Sequence, residues 1–389
     1  MDYLPYGRQD IGPADVDAVL AVLRSDFLTQ GPAVPAFERA VADYCGARHG
    51  VAVNSATSAL HLACLALGVG PGDRVWTSPV TFVASANCAR YCGAEVDFVD
   101  IDPRTYNLSV AALADKLARA ETEGRLPHTL IPVHLCGQPC DMGEIQELAR
   151  RYRFRVIEDA SHAIGARYRD DPVGSCRHGD ITVFSFHPVK IITTGEGGLA
   201  TTNDSELARR MALLRSHGIT REAAGMEDPP HGPWYYQQTD LGFNYRMTDL
   251  QAALGRSQLQ RLDEFLESRR ALARRYDERL TGLPLTLPYQ AAYGRSAYHL
   301  YPVLVAPGGD RRRVFESLRR QGIGVNVHYI PVHTQPYYRR LGFRAGQFPE
   351  AEGYYARTIS LPLHPGLAEA QQDRVVAALR QALEEAGCG

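Results

Sequence analysis

Short apolar runs alternate with helical patterns through the first half of the chain. The runs that are typical of buried strands are HGVAVN, RVWTSP, AEVDFVD, HTLIPVHL, FRVIED, ITVFSF and GLATT. Most of them are separated by the helical patterns SALHLACLAL, VASANCARYC, SVAALADKLARA and GEIQELARRY. Because strand, crossover helix and strand repeat in this way, the chain is predicted to form a mostly parallel sheet with helices on both faces. The last two runs adjoin without a helix, which allows one of them to run antiparallel.

The segments around this core predict a second, smaller unit. Helical patterns at 14–24 and 36–45 precede the first strand, and residues 221–240 have no period and are predicted to form a loop. A helical pattern from residue 248 to about residue 280 leads out of the sheet. The α+β unit that follows contains the strand patterns HLYPVLV, GVNVHY and ISLPL, a helix at 310–321 and a terminal helix.

Composition and charge exclude several classes of protein. The chain has 389 residues, of which 45% are hydrophobic and 22% charged, and its net charge of −2 gives no reason to expect nucleic acid or an anionic membrane as a partner. We see neither a signal peptide nor an apolar run of ~20 residues, so we expect a cytoplasmic protein without a membrane span. Among the eight cysteines, Cys136 and Cys140 are four positions apart, and no spacing predicts a metal site.

Lysine is almost absent from the chain. Among its 42 Lys and Arg residues, only Lys116 and Lys190 are lysines. Arginine stays protonated and cannot form an imine, whereas a desolvated lysine loses its proton and attacks a carbonyl. Each lysine in this chain therefore raises the question of whether a primary amine is required at its position.

The two lysines lie in different surroundings. Lys116 belongs to the helical pattern SVAALADKLARA beside Asp115, and we expect it to be a solvated surface charge. Lys190 lies in FSFHPVKIITTGEGG, after an apolar strand and before a glycine-rich turn, which favours a catalytic amine. Pyridoxal phosphate is a cofactor that a lysine amine can hold as an imine. Its site also requires an acid for the pyridine nitrogen, a phosphate cradle and a flat side chain against the ring.

Asp159 is the candidate acid. It ends the apolar strand in FRVIEDASHA, at the edge where open α/β sheets bind ligands. Its neighbour Glu158 is one residue away and is expected on the opposite face of the strand. An aspartate in this place is equally typical of a helix N-cap, so the sequence leaves both roles open.

The candidate phosphate cradle is NSATSAL at 54–60, where small and hydroxylated residues join a strand to a helix. The helix N-terminus presents free N–H groups to an anion, and Thr57 and Ser58 add hydroxyl donors. Ser185, near the end of the strand before Lys190, is expected to reach the same phosphate. The alternative is a simple helix cap. Phe82, at the start of a helix, is the candidate for stacking on the ring, with core packing as its alternative.

The order of these motifs resembles a known family. NSATSAL, TFVAS, EDASHA, SFHPVK and TTGEGG follow one another at strand ends, as in fold-type I pyridoxal-phosphate enzymes of the aspartate-aminotransferase type. LTQGPAVPAFE, DASHAIGA, LGFNYRMTDLQAALG and VHYIPVH resemble the DegT/DnrJ/EryC1/StrS family of sugar aminotransferases over nearly the whole chain. The wording SFHPVK, the N-terminal Tyr6 and the pair SAYHLYPVLV and NVHYIPVHTQPYY resemble most closely the branch that serves pseudaminic-acid biosynthesis, whose member enzyme is a UDP-4-amino-4,6-dideoxy-N-acetyl-β-L-altrosamine transaminase.

The resemblance implies a domain plan and a role for each site residue. The plan is a large cofactor-binding domain at 1–247 with an N-terminal substrate-binding segment, a connecting helix at 248–281 and a small C-terminal domain at 282–389. Lys190 would form the Schiff base and move protons, Asp159 would pair with the pyridine nitrogen, and His162 would lie near the cofactor's 3-oxygen. The implied phosphate contacts are Ala56, Thr57, Ser58 and Ser185, joined by Asn244 from a second subunit. The residues implied to line the sugar-nucleotide site are Tyr6, Thr29, Asn326, His328 and Tyr329.

The implied reaction is a ping-pong amino transfer in a homodimer with shared active sites. L-glutamate would convert pyridoxal 5′-phosphate to pyridoxamine phosphate, which would aminate C4 of a UDP-4-keto-6-deoxy-N-acetylhexosamine. The sequence leaves other readings open, because fold does not fix function. These are another C3 or C4 sugar aminotransferase, a sugar dehydratase, an amino-acid aminotransferase with an arginine for the substrate carboxylate, and a non-catalytic regulator. The presence of Lys190 disfavours the dehydratase, and Lys190 together with Asp159 disfavours the regulator.

Overall fold

A computed structural model describes residues 3–387 of the chain. Its strands are β1 His49–Val53, β2 Arg74–Thr77, β3 Glu95–Phe98, β4 Thr129–Ile131, β5 Arg155–Asp159, β6 Arg167–Tyr168, β7 Asp171–Pro172, β8 Ile181–Ser185, β9 Gly198–Thr202, β10 Ile219–Thr220, β11 Gln237–Gln238, β12 Leu285–Thr286, β13 Gly294–Arg295, β14 Tyr301–Val305 and β15 Thr358–Leu361. Its helices are α1 Pro13–Leu23, α2 Ala33–Cys45, α3 Ala56–Ala66, α4 Ala84–Tyr91, α5 Val110–Thr122, α6 Met142–Tyr152, α7 Ser205–Leu214, α8 Asp249–Gln260, α9 Leu262–Leu280, α10 Arg311–Arg320, α11 Pro336–Arg340, α12 Pro349–Arg357 and α13 Glu369–Glu385.

The seven strand patterns of the first half of the chain form one central sheet. Its strand order is β1-β9-β8-β5-β4-β2-β3. Strand β9 runs antiparallel to both of its neighbours, and the other pairings in the sheet are parallel. The predicted α/β fold with a mostly parallel sheet is therefore confirmed. The two adjoining strands without a helix between them are β8 and β9, and one of them does run antiparallel.

Helices cover both faces of this sheet, as its near-continuous apolar strands require. Along β5, Val156 packs into a core with residues of α5 and α6, whereas the next residue, Ile157, packs into a core with residues of α3 and α4. Both side chains are at most 2% exposed. Each face of the sheet is therefore filled by its own apolar cluster, and the predicted site residues Asp159 and Ser185 stand at strand ends.

The long helical pattern from residue 248 forms two helices instead of one. Helix α8 begins with a capping box in which Thr248 and Gln251 exchange hydrogen bonds, and it ends at Gln260. Arg261 separates α8 from α9 with a backbone that is not helical. Its guanidinium makes ion pairs with Asp10 and Asp15 of the N-terminal segment.

The C-terminal α+β unit is built around an antiparallel sheet in the order β12-β14-β15. Its apolar core combines residues of these strands with α9, α10 and α13, and it also buries Leu4 from the start of the chain. The pattern GVNVHY was predicted as a strand, and this prediction was wrong. Asn326 makes only an isolated bridge to Ser360, because the segment turns away into the cavity described below. The division of the chain at residues 247 and 281 stays a prediction.

Two further expectations concern the loop at 221–240 and the absence of a membrane-spanning helix. Residues 221–240 form an exposed excursion whose ends are held by the two-residue strands β10 and β11. Within residues 3–387 no helix is both long enough and apolar enough to span a bilayer.

Candidate active site

A cavity of about 640 Å³ lies at the end of the central sheet where β1, β5 and β8 terminate. Eleven of the predicted site residues line this cavity, and they are Tyr6, Ala56, Thr57, Phe82, Asp159, His162, Ser185, Lys190, Asn326, His328 and Tyr329. They come from six separate stretches of sequence, and the fold brings them together at one place. A volume of this size is in the range of small-molecule sites.

Lys190 lies in the turn after β8, where its backbone N–H donates to the carbonyl of His187 over 2.9 Å. Burial lowers the pKa of the Lys190 amine to about 8, and the nearby Asp159 carboxylate opposes this shift. A substantial fraction of the amine is therefore neutral near physiological pH. A neutral amine is the form that attacks carbonyl carbon and accepts protons.

Asp159 is the last residue of β5 and is 4% exposed. Its Oδ1 accepts hydrogen bonds from the backbone N–H of Ser161 over 3.1 Å and from the Ser161 hydroxyl over 2.6 Å. Its Oδ2 accepts from the Ser85 hydroxyl over 2.6 Å. The next helix in the described chain after β5 is α7, which is capped by Asp204, so the helix-cap reading of Asp159 is wrong. Three hydrogen bonds hold the carboxylate and leave it aimed at the cavity.

The N-terminus of α3 forms one wall of the cavity through Ala56 and Thr57. Ser55 is the N-cap, and its Oγ accepts from the N–H of Ser58 over 3.1 Å. The hydroxyl of Ser58 donates to Oδ1 of Asn54 over 2.7 Å. Ser58 therefore belongs to the cap of the helix, and the structure does not place it among the cavity residues. Both readings of this motif apply, since the cap is real and the first turn still faces the cavity.

A glycine of the TTGEGG motif permits this wall to form. A Cβ on Gly198, the first residue of β9, would lie 2.5 Å from the backbone nitrogen of Ala56. Only glycine allows β9 and the start of α3 to approach so closely. Ser185, which pairs with Gly198 across the β8–β9 ladder, lines the same side of the cavity.

Three buried imidazoles surround the amine of Lys190. His162, His299 and His328 are each at most 5% exposed and line the cavity. Burial, together with the charge of Lys190, lowers the pKa of all three, and that of His328 falls to about 3. The rings of His162 and His299 lie 4.5 Å apart between centroids. All three imidazoles are therefore neutral hydrogen-bonding groups rather than cations.

His162 is hydrogen-bonded on both sides of its ring. Its Nδ1 accepts from the backbone N–H of Cys136 over 3.2 Å, and its Nε2 lies 3.0 Å from the hydroxyl of Tyr329. Beside Tyr329, Nδ1 of His328 lies 2.8 Å from the hydroxyl of Ser360. The Tyr6 ring packs against the His328 ring at 5.4 Å between centroids.

The mouth of the cavity carries Phe82, which the sequence predicted, and two residues that the sequence interpretation missed. Phe82 is 59% exposed and lies at the rim, with its ring 6.3 Å from that of Tyr329, so it is not a core residue. His187 and Glu196 also line the opening, with 4.0 Å between Nε2 and Oε1. Both belong to the motifs that flank Lys190, and this proximity was the available signal. His299 was missed although it lies in SAYHLYPVLV, and its place just before β14 was the available signal.

Two predicted residues lie outside the cavity of their own chain. Thr29 makes an isolated backbone bridge to Thr248 and is exposed. Asn244 is also exposed, and its carbonyl accepts from the side-chain amide of Asn54 over 3.4 Å. Neither contributes a side chain to the site formed by residues 3–387 of one chain.

The expectation for Lys116 was wrong. Its ammonium donates to the carbonyl of Phe98 over 2.5 Å, makes an ion pair with Asp97 over 2.6 Å and lies 4.7 Å from the centre of the Trp76 ring. Its side chain is 21% exposed, and burial lowers its pKa while Asp97 opposes this. The long stem covers the indole, so the charge is half-buried rather than solvated.

The residues present fit pyridoxal phosphate. An amine with a lowered pKa, a firmly held carboxylate, the N-terminus of a helix and an aromatic side chain border one cavity of sufficient size. Each belongs to a different strand end, so a ligand in the cavity would meet all of them together. When bound, this group supplies an electron-accepting ring that carries the amino group between donor and acceptor.

Comparison with known proteins agrees with this chemistry. Residues 9–380 match the model of the DegT/DnrJ/EryC1/StrS aminotransferase family. The chain is 43% identical to the GDP-perosamine synthase of Caulobacter vibrioides, over 94% of this chain and 95% of that protein. It is 38% identical to the UDP-4-amino-4,6-dideoxy-N-acetyl-beta-L-altrosamine transaminase of Campylobacter jejuni, over 93% of this chain and 92% of that protein.

Solved structures show the same fold. The sugar aminotransferase Spr1654 from Streptococcus pneumoniae in its PMP form superposes with a TM-score of 0.91 at 30% identity, covering 98% of this chain and 100% of that one. PseC from Helicobacter pylori, an aminotransferase of pseudaminic-acid biosynthesis, superposes with a TM-score of 0.90 at 30% identity, covering 99% and 100%. The chain therefore belongs to the DegT/DnrJ/EryC1/StrS family and is a pyridoxal-phosphate-dependent sugar aminotransferase of fold type I.

Proposed function

We propose that this enzyme transfers the amino group of L-glutamate to C4 of a UDP-4-keto-6-deoxy-N-acetylhexosamine, for pseudaminic acid or a related glycan. The observation that carries the proposal is the cavity itself, which joins Lys190 and Asp159 to a wall of neutral polar side chains. The similarity to a GDP-perosamine synthase and to a UDP-4-amino-4,6-dideoxy-N-acetyl-beta-L-altrosamine transaminase supports amination of a sugar nucleotide.

Each catalytic residue has one task in this proposal. Lys190 would hold the cofactor through its amine and would accept and return the proton at the carbon that carries the amino group. Its lowered pKa suits both tasks, because a base must be neutral at the pH where it acts. Asp159 would keep the pyridine nitrogen protonated. Ala56, Thr57 and Ser185 would bind the phosphate at the N-terminus of α3.

The polar wall argues against an amino-acid aminotransferase. Such enzymes grip the substrate carboxylate with an arginine, usually in a bidentate pair. The chain has many arginines in its C-terminal part, yet within residues 3–387 none of them lines the cavity. The groups facing Lys190 are instead imidazoles, phenols and an amide. These groups suit the hydroxyls of a sugar ring as the amino acceptor.

We assign the sugar contacts to the part of the cavity wall formed by Tyr6, Asn326 and His328. His328 is neutral because burial holds its pKa far below its usual range. A neutral wall recognises hydroxyl groups without attracting a charged competitor. Thr29 and Asn244 lie outside this cavity, and we assign both to the site of a second subunit in a homodimer. In the same proposal, residues 1–247 form the cofactor domain and residues 282–389 the small domain, joined by 248–281.

A GDP-linked sugar is the second candidate, since identity to the GDP-perosamine synthase reaches 43% against 38% for the UDP-sugar enzyme. The test is a matched set of UDP- and GDP-linked 4-keto-6-deoxy sugars, each supplied with glutamate and the holoenzyme. We expect 2-oxoglutarate to be released and an amine at C4 of the UDP-linked product by NMR. Lys190→Ala is the control, and it should form no product. Turnover of the GDP-linked sugar alone would replace the UDP assignment, and an amine at C3 would contradict the ring position.

A further inference from the structure

The protonation of His162 is determined by its surroundings. A backbone amide can only donate its hydrogen, so Nδ1 of His162, which receives the N–H of Cys136, must be the unprotonated nitrogen. Burial and the charge of Lys190 hold the pKa of His162 well below its usual value, so the ring is neutral. A neutral ring with a bare Nδ1 carries its proton on Nε2. The bond of 3.0 Å to Tyr329 is therefore donated by the histidine.

Because His162 is the donor in this bond, the hydroxyl hydrogen of Tyr329 is not part of it. The phenolic oxygen accepts from His162, and no described residue of the chain accepts the hydroxyl hydrogen. Burial, reinforced by Cys136, raises the pKa of Tyr329 well above its usual value, so the hydroxyl keeps this hydrogen. Tyr329 also lines the cavity. The hydroxyl of Tyr329 is thus a hydrogen-bond donor that His162 orients. Among the described side chains around it, none accepts its hydrogen.

The order of strands indicates which atom of the cofactor this donor meets. Ala56 and Thr57 follow β1, on one side of Asp159 in the order β1-β9-β8-β5-β4, whereas Cys136 follows β4 on the other side. In pyridoxal phosphate, the carbon that reacts with the amine lies between the carbon bearing the 3-oxygen and the carbon bearing the phosphate arm. With the phosphate on the β1 side, the 3-oxygen faces β4. That is the side on which Cys136, His162 and Tyr329 are linked.

We propose that Tyr329 donates a hydrogen bond to the 3-oxygen of the cofactor, and that His162 is a positioning residue that orients Tyr329. This inference rests on the proposed placement of the cofactor between Lys190 and Asp159. Tyr329 is then assigned to the cofactor rather than to the sugar. His162 contacts Tyr329 rather than the 3-oxygen itself. The 3-oxygen carries negative charge in the lysine-linked cofactor, and hydrogen bonds to charged acceptors are the stronger class.

The test measures the visible absorbance of the bound cofactor against pH in the holoenzyme, without any sugar. A donor to the 3-oxygen weakens the hold of that oxygen on the proton that it shares with the Lys190 nitrogen. Tyr329→Phe should therefore raise the midpoint of the transition by about one pH unit. His162→Asn keeps an acceptor for the Cys136 N–H but lacks a group at the Nε2 position, so it should raise the midpoint by less. His162→Gln retains an amide that reaches Tyr329 and should stay near the wild type.

Further variants separate positioning from direct contact. If His162 acts through Tyr329, the double variant His162→Asn/Tyr329→Phe should match Tyr329→Phe alone. A midpoint that shifts in His162→Asn but not in Tyr329→Phe would show that the histidine itself contacts the oxygen, and the proposal would be overturned. The same holds if neither variant shifts it.

Tyr338→Phe is the matched control. Tyr338 is 1% exposed, its hydroxyl donates to Asn87 over 2.6 Å, and it lies outside the cavity lining. Its loss should leave the midpoint unchanged, and a comparable rise would overturn the proposal by showing that any lost buried hydroxyl shifts the transition. Because no sugar is present, failure of the substrate assignment leaves this measurement unaffected.

Discussion

Ser85 donates a hydrogen bond of 2.6 Å to Oδ2 of Asp159, so the first turn of α4 is tied to the end of β5. The Ser85 hydroxyl in turn lies 2.7 Å from that of Thr81, from which it accepts. Thr81 and Ser85 are both at most 2% exposed. The orientation of the carboxylate therefore depends on a serine 74 positions away in sequence.

Ser85→Ala should lower kcat by about tenfold while cofactor loading is kept. A hydrogen bond to a charged group contributes about 1.5–3 kcal/mol, and part of this is lost when the Asp159 carboxylate is held by Ser161 alone. Single-turnover kinetics with glutamate, and the pH dependence of the cofactor absorbance, would measure the effect. Thr77→Val is the control, because the buried Thr77 hydroxyl donates to Ile131 over 2.8 Å outside the cavity. Equal loss of activity in both variants would mean that Ser85 only supports the fold.

Lys190→Arg should abolish turnover, because a guanidinium stays protonated and forms no imine. Reduction with borohydride followed by peptide mapping should locate the cofactor on Lys190 in the wild type and on no residue in the variant. Lys116→Arg is the internal control and should keep full activity. Since Lys116 lies over Trp76 and pairs with Asp97, this control should show a lower melting temperature, which separates stability from chemistry. Activity in Lys190→Arg near that of the wild type would remove the amine from the mechanism.

Asp159→Asn should leave the fold intact and slow the proton-transfer step at least about a hundredfold. An amide occupies the same space but cannot keep the pyridine nitrogen protonated. Stopped-flow absorbance of the glutamate half-reaction measures this step directly, and circular dichroism checks the fold. A variant that lost only stability, with turnover near that of the wild type, would contradict the electrostatic role of Asp159.

The lowered pKa of Lys190 should appear in the capture of cofactor by the apoenzyme. Only the neutral amine attacks the aldehyde, so the capture rate should rise with pH and level off above about 8, the pKa that burial imposes on Lys190. An ordinary lysine would continue to gain rate up to its own pKa of about 10.4. Rates followed by absorbance from pH 6 to roughly pH 10 would separate the two cases. A midpoint near that of free lysine would show that the amine is solvated before the cofactor binds.

The sequence predicted the parts of the fold that come from a repeating pattern. It also predicted the site residue whose chemistry is rare in this chain. Alternating strands and helices predicted the sheet, and the scarcity of lysine singled out Lys190. Contacts between distant segments carry no such signal. The link from Cys136 through His162 to Tyr329 joins three parts of the chain, and His299 reaches the site beside it.

Two errors have local physical causes. The alternation in GVNVHY is typical of a strand, but among the described residues its only β-bridge is at Asn326, and the residues that follow line the cavity instead of a sheet. The helical pattern placed Lys116 on an outer face, and a four-carbon stem allowed its ammonium to fold back over Trp76. A pattern of hydrophobic positions records where a backbone lies and not where a long side chain ends.

Mixing two inactive variants would test whether Asn244 serves the site of a second subunit. Asn244 is exposed and lies outside the cavity of its own chain, after the irregular excursion at 221–240. Lys190→Ala removes the amine from one site, and Asn244→Ala removes the contact that we propose the chain gives to the other. In a mixed dimer, a contribution in trans produces one site with both groups and one site with neither.

Activity should therefore return when the two inactive proteins are refolded together, to about a quarter of the wild-type rate if subunits mix at random and half the dimers are mixed. The reason is that each mixed dimer regains a single site. If Asn244 acted within its own chain, every site in a mixed dimer would lack one group and mixing would restore nothing. Mixing Lys190→Ala with Asp159→Asn is the matched control, because both residues line the same cavity and should not complement. Rescue of that control would mean that the site itself is assembled differently from the one described.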